Sequence, residues 1–93
     1  MNIQQLDLNL LLVFDAVYKE RSISKAAARL DLSQPAVSNA LKRLRQFTGD
    51  SLFFRAGNAM VPTRAANALA VPVAHALRTV EESLSSLRAF DPA

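Results

Sequence analysis

The 93-residue chain has no cysteine, only two glycines and a single histidine. Without cysteine there is no disulfide framework and no thiolate metal site, which fits a reducing compartment. No glycine-rich phosphate loop and no metal-ligand spacing occurs. His75 has no serine, cysteine or carboxylate constellation around it, and the adjacent Glu81 and Glu82 point to different sides of a helix, so an enzyme is the least favoured reading. The densest apolar run, Leu8 to Val13, is far shorter than the roughly 20 residues a membrane span needs, and no basic region precedes it as in a signal peptide. A cytoplasmic protein without metal or cofactor is expected.

What is present is an apolar content of 51%, enough for a modest core in one domain, and a net charge of +3 in the direction expected of nucleic-acid binders. The charge is unevenly placed. Residues 1–62 hold eight Lys or Arg against five Asp or Glu, which gives +3, whereas residues 63–93 hold three of each and are neutral.

The stretch SISKAAARLDLSQPAVSNALKRL, Ser22 to Leu44, carries two helical hydrophobic patterns separated by polar capping residues at Asp31 and Ser33. That is the pattern of a helix-turn-helix, with Ala26 and Ala27 as the small residues that let the two helices cross closely. Leu30 and Leu32 are expected to flank the turn on its buried side, with Asp31 in a left-handed conformation. Val37, Ala40, Leu41 and Leu44 recur at spacings of three or four and form the inner face of the second helix. Its outer face then carries Gln34, Pro35, Ser38, Asn39 and Lys42, which suits the major groove, because Gln and Asn make paired hydrogen bonds to adenine and Ser bonds several bases. Ser33 and Pro35 also have a structural explanation, as N-cap and first-turn residue. The basic continuation Lys42-Arg43-Leu44-Arg45 favours the functional one.

Leu6 to Glu20 reads as the first helix, with Asp7 as N-cap, Leu6 and Leu11 as a hydrophobic staple, and Leu10, Leu11, Phe14, Val17 and Tyr18 facing the core. Lys19 and Arg21 complement the last carbonyls of that helix. Ser22 or Ser24 caps the next, and either hydroxyl is also placed for a phosphate. The recognition helix, 34–47, should end before a left-handed Gly49. Ser51 to Val61 reads as a small hairpin around Ala56-Gly57-Asn58, a wing over residues 52–61 from which Arg55 and Asn58 reach phosphate or the minor groove; Asn58 serves equally as a plain turn residue.

Thr63 is expected to cap a long helix that runs to about Leu87, too long to be covered by so small a domain. Leu69, Val73, Leu77, Val80, Leu84 and Leu87 fall on one stripe with alternating steps of four and three, and a second copy of the chain is the economical partner. Pro72 should kink or break this helix. Phe90-Asp91-Pro92 ends the pattern.

In RSISKAAARLDLSQPAVSNALKRLR, the following SLFFRAGNAMVPT and the long helix, the chain resembles the N-terminal DNA-binding region of LysR-type transcriptional regulators, over essentially its whole length. LDLNLLLVF and LSQPAVSNALKRLR look like the branch that includes regulators of aromatic degradation and nodulation. The resemblance implies a mainly α fold: a winged helix-turn-helix of three helices and a hairpin over residues 1–62, a linker helix over 63–90 that pairs antiparallel with another subunit, and residues 91–93 leading toward a larger effector-binding domain. A small-molecule effector is expected only for that further domain, and tetramers are possible for a longer chain. Carried over by position, Gln34, Pro35, Ser38 and Asn39 are the base readers, and Ser33, Lys42, Arg43 and Arg55 the phosphate contacts. Asn58 stands where some members carry a basic residue, Asp31 where this branch commonly has Gly, and Ala66 where Gly is often found; neither of the last two changes is expected to alter function. The leading expectation is a homodimer on an interrupted inverted repeat in double-stranded DNA. The alternative is a winged-helix interaction module, which would need apolar anchors on the outer face of the recognition helix.

Overall fold

The computed structural model describes residues 2–89. After a single 3-10 turn at Ile3–Gln5, the elements are α1 (Asn9–Glu20), α2 (Ile23–Leu30), α3 (Gln34–Thr48), β1 (Phe53–Ala56), β2 (Ala59–Pro62) and α4 (Arg64–Ala89). This is the expected mainly α arrangement, a helix-turn-helix with a hairpin wing followed by one long helix.

Each helix starts and stops for a local reason. α1 begins at Asn9, three residues later than the sequence pattern suggests, because the apolar periodicity runs back through Leu6 while the capping carboxylate sits at Asp7. Asp7 Oδ1 accepts the Asn9 N–H at 3.0 Å, so the first turn follows that residue and leaves Leu6 outside. At the other end Arg21 takes a left-handed conformation, φ 55°. Its Nε donates to the Tyr18 carbonyl at 2.6 Å and its guanidinium lies 4.6 Å from the Tyr18 ring centroid, which satisfies the helix end with a cation. Lys19 turns instead to Asp15, one helical turn back, at 3.0 Å.

Ser22 is the residue that caps α2, accepting the Lys25 N–H at 3.2 Å. Asp31 ends that helix at φ 56°, in the left-handed turn expected for it. Ser33 caps α3 by accepting the Ala36 N–H at 3.2 Å, Pro35 falls in the first turn, and Gly49 closes the helix at φ 74°. Leu32 departs from expectation. The left-handed step at Asp31 carries the chain outward, so Leu30 packs at the core margin while Leu32 is 45% exposed.

The core forms where α1, α2 and α3 meet the wing. Phe14, Val17, Val37, Leu41, Leu44 and Leu52 are almost completely buried, and each contributes roughly 1.5–3 kcal/mol of burial. Ala26 and Ala27 are buried at the α2 crossing, where a larger side chain would force the helices apart. The wing is seated by Phe53, whose ring centroid lies 5.6 Å from that of Phe14, and by Met60, whose N–H donates to the Arg21 carbonyl at 3.1 Å.

Thr63 Oγ1 accepts the Ala66 N–H at 3.1 Å and so starts α4, which runs unbroken past Pro72. Pro72 and Ala68 are both exposed, which leaves the carbonyl that proline deprives of a partner open to water. Phe90-Asp91-Pro92 lies outside the described residues. The six-residue stripe divides in two. Val73 is buried in the chain's own core together with Ala66 and Ala70, and Leu69 and Leu77 pack against that core, whereas Val80, Leu84 and Leu87 are 58%, 57% and 68% exposed. The periodicity is continuous, but α1 covers mainly its first half, so Val73 is taken up by the chain's own core while Leu69 and Leu77 stay half-buried at its margin. The Tyr18 hydroxyl adds a 2.7 Å hydrogen bond to Asn67 Oδ1, which fixes α4 on α1.

Candidate nucleic-acid interface

Burial of Val37, Leu41 and Leu44 fixes how α3 is turned about its axis. At 3.6 residues per turn, the opposite side then presents Pro35, Asn39, Lys42 and Gln46, all exposed. Gln34 and Ser38, one turn apart and also exposed, form the flank next to the wing. The five residues read as the outer face therefore share one continuous surface.

Side-chain alternation aligns the wing with that surface. Phe53 points into the core, so Arg55, two residues on, takes the same face of β1. Arg55 and Ser38 consequently line one cleft of about 230 Å³, together with Leu41, Phe53, Met60 and Arg45. Arg45 Nε donates to the Ser51 carbonyl at 2.8 Å, tying α3 to the approach of the wing. The strands pair antiparallel with Ala56 opposite Ala59, which leaves the two-residue turn Gly57-Asn58. Gly57 carries the positive φ of 60° that the first turn position of a type II′ hairpin needs, and Asn58 stands exposed at the tip.

Ion pairing separates the cations into two groups. Lys19 pairs with Asp15 and Arg29 with Glu20 at 3.0 Å, and Arg43 pairs with Asp7 at 3.5 Å. Lys25, Lys42, Arg55 and Arg64 make no salt bridge among the described residues. Arg43, half-exposed and one turn after Asn39, is thus drawn toward α1 at the edge of the surface that Lys42 shares with Asn39. No acidic residue occupies the first turn of α2 or α3, so their terminal amides keep their partial positive charge. At the start of α2 the hydroxyls of Ser22 and Ser24 lie 3.1 Å apart, with Ser24 exposed. Ser33 is exposed at the start of α3, and its capping bond leaves the hydroxyl hydrogen available.

Sequence reasoning passed over Gln46, Lys25 and Arg64. Gln46 continues the outer stripe of α3 four residues after Lys42, a spacing visible in the sequence. Lys25 and Arg64 stand in the first turns of α2 and α4, where the helix dipole disfavours a cation, so helix stability gives no reason for either. His75 is exposed on α4, and no group of metal-ligating side chains occurs among the described residues. No described helix is long and apolar enough to cross a membrane.

Residues 8–67 match the model of the bacterial regulatory helix-turn-helix proteins of the lysR family, a span that takes in α1, α2, α3, the wing and the start of α4. The chain belongs to the LysR family. This LysR-family chain is 48% identical over 92 residues to the HTH-type transcriptional activator NagR of a Ralstonia species, a match that covers 99% of this chain and 31% of NagR. Among solved structures it is similar to the probable transcriptional regulator PA0477 of Pseudomonas aeruginosa, with a TM-score of 0.91 and 52% identity over 97% of this chain and 30% of that one. It is also similar to the protein in the BenM_DBD/benA site 1 DNA complex, with a TM-score of 0.81 and 26% identity over 92% of this chain and 100% of that one. The LysR-family chain thus spans about a third of the length of NagR, and all of a relative solved on DNA.

Proposed function

We propose that this chain binds double-stranded DNA sequence-specifically as a homodimer, as the DNA-binding part of a transcriptional regulator. α3 lies in the major groove, where Gln34, Pro35, Ser38 and Asn39 meet base edges, and the wing stands near the minor groove with Asn58 at its tip. Lys42 and Arg55 neutralise phosphates, with Ser22, Ser24 and Ser33 at the two helix starts. Arg43 joins them only by leaving Asp7.

The observation that carries this reading is the exposed amide and hydroxyl surface of α3, bordered by Lys42 and Arg55, which make no salt bridge among the described residues. A surface of that kind offers hydrogen bonds to bases and charge to phosphates. The likeness to a protein solved in complex with DNA supports it. For dimerisation, the support is the exposed Val80, Leu84 and Leu87 on α4, and a groove lined by Leu8, Leu12, Leu77, Val80 and Leu84. Two such helices paired about a two-fold axis would present two α3 helices to an interrupted inverted repeat. An interaction module would need large apolar anchors on the outer face of α3, where Gln, Ser, Asn and Lys stand.

The test is selection of bound duplexes from a random library at near-physiological salt. Enrichment of a two-fold symmetric sequence with fixed spacing is the expected result; retention of DNA without enrichment would refute base reading, and no retention would refute DNA binding altogether.

A further inference from the structure

A continuous set of hydrogen bonds joins the end of α3 to the start of α4. Thr48 Oγ1, in the last turn of α3, donates to the Leu44 carbonyl at 3.0 Å and accepts the Asp50 N–H at 3.3 Å. Asp50 Oδ1 accepts two bonds, from the Leu52 N–H at 2.7 Å and from Thr63 Oγ1 at 2.8 Å. The Thr63 N–H donates to the Leu52 carbonyl at 2.8 Å. A threonine hydroxyl has one proton, and by giving it to Asp50 it turns a lone pair toward the Ala66 N–H, the bond that caps α4. Leu52, between them, is buried at φ 63°, a conformation that costs a non-glycine residue and persists only where its surroundings enforce it. Both of its backbone partners belong to this latch.

Resting on the DNA-binding dimer proposed above, we infer that Asp50 and Thr63 are positioning residues that set the distance between the two half-sites. α4 leaves the latch as a rigid rod, and the exposed residues Val80 to Leu87 lie 16 to 23 residues beyond Arg64. At 1.5 Å per residue that is about 24–35 Å from the latch. A change of about 10° in the direction of α4 at its base displaces those residues by about 4–6 Å, one to two base-pair steps of roughly 3.4 Å. Half-site spacing is therefore sensitive to the angle that Asp50 and Thr63 hold, a part-buried pair at the base of α4. Without the latch α4 keeps its packing through Ala66, Ala70 and Val73 and its bond from Tyr18, so the fold stays docked while the angle at the helix base loses the constraint that Asp50 and Thr63 supply.

The experiment uses the 93-residue chain with Thr63→Val, Asp50→Ala and, as the conservative control, Thr63→Ser. In duplex selection with a random spacer, wild type and Thr63→Ser are expected to enrich one spacing, whereas Thr63→Val and Asp50→Ala enrich the same half-site at a spread of spacings at least one base pair wider on each side. A purely structural role would lower stability and leave the preferred spacing alone, and a single unchanged spacing in both variants overturns the inference. A second measurement needs no DNA. Because the chain lacks cysteine, spin labels can be placed at Gln46→Cys on α3 and Ser83→Cys on α4, with labelled protomers diluted in unlabelled chain. The distance distribution should broaden in Thr63→Val and Asp50→Ala and stay narrow in Thr63→Ser; equal widths overturn the inference. If wild type enriches no two-fold sequence, the dimeric DNA reading fails, and with it the role in spacing, even where the distances show the latch itself to be real.

Discussion

Lys42 and Arg43 are neighbours in sequence and equal in charge, yet only Arg43 is held in a salt bridge. Lys42 is exposed on the outer stripe of α3 without a salt bridge, while Arg43 lies toward α1 with its guanidinium 3.5 Å from Asp7. Each phosphate neutralised contributes about 0.9 to the slope of log affinity against log salt. In a two-fold dimer Lys42 counts twice, so Lys42→Ala should lower the slope by about 1.8. Between about 50 and 200 mM salt, wild type would then lose roughly tenfold more affinity than the variant. Arg43→Ala should leave the slope nearly unchanged, and the loss of an exposed pair costs about 0–1 kcal/mol of stability. The assay is equilibrium titration of one operator duplex at four or more salt concentrations. An equal fall in slope for Arg43→Ala would mean that Arg43 leaves Asp7 for a phosphate, and the assigned orientation of α3 against the groove would be refuted.

Further outcomes follow from other parts of the fold. Gln34→Ala should lose discrimination at one base pair, worth roughly 1–3 kcal/mol, without a change in salt slope; unchanged sequence preference in duplex selection would remove Gln34 from the base readers. Ser33→Ala deletes the α3 cap and should cost about 1 kcal/mol, a fall in Tm of roughly 4–8 °C by thermal melting. Phe14→Ala should cost about 3–5 kcal/mol in urea unfolding, a large share of what holds a small domain together. Leu84→Asp should shift the chain toward monomer in sedimentation while its melting stays that of a folded monomer, whereas Val73→Asp should unfold it, because the charge would be buried without a partner.

The helix-turn-helix is legible in the sequence because its determinants are local. Ser22, Ser33, Asp31 and Gly49 act through bonds to residues at most five positions away, and each takes the cap or left-handed turn its chemistry favours. The outer face of α3 is legible for the same reason: once Val37, Leu41 and Leu44 are inward, geometry places Asn39 and Lys42 outward. What could not be read was partnership over distance. Nothing in the sequence around Arg43 shows that Asp7, 36 residues earlier, lies beside it, nor that Asp50 bonds Thr63 across the wing. Leu32 was misjudged because an apolar residue next to a left-handed step is directed by that step, and hydrophobicity alone does not say which way.

α4 shows the same limit on a larger scale. Its stripe from Leu69 to Leu87 runs in steps of four and three throughout, since every residue on it faces nearly the same direction from the helix axis. Periodicity reports that direction and is silent on which chain fills it. The covering changes near Leu77, the last stripe residue packed on the chain's own core and also a wall of the exposed groove with Leu8 and Leu12. One helix therefore completes the domain with its first half and offers an apolar surface with its second. Because the two halves are a single rigid element, a partner bound to Val80 and Leu84 would be held in a fixed relation to α3, through Val73 in the core and through Asp50 and Thr63 at the helix base. Two independently flexible modules would gain affinity from linkage but could not discriminate half-site spacing sharply. Under the proposed dimer, a helix shared between core and assembly would provide that discrimination, with the proposed base readers on α3 and the proposed dimer contacts on α4, two helices joined by the Asp50–Thr63 bond.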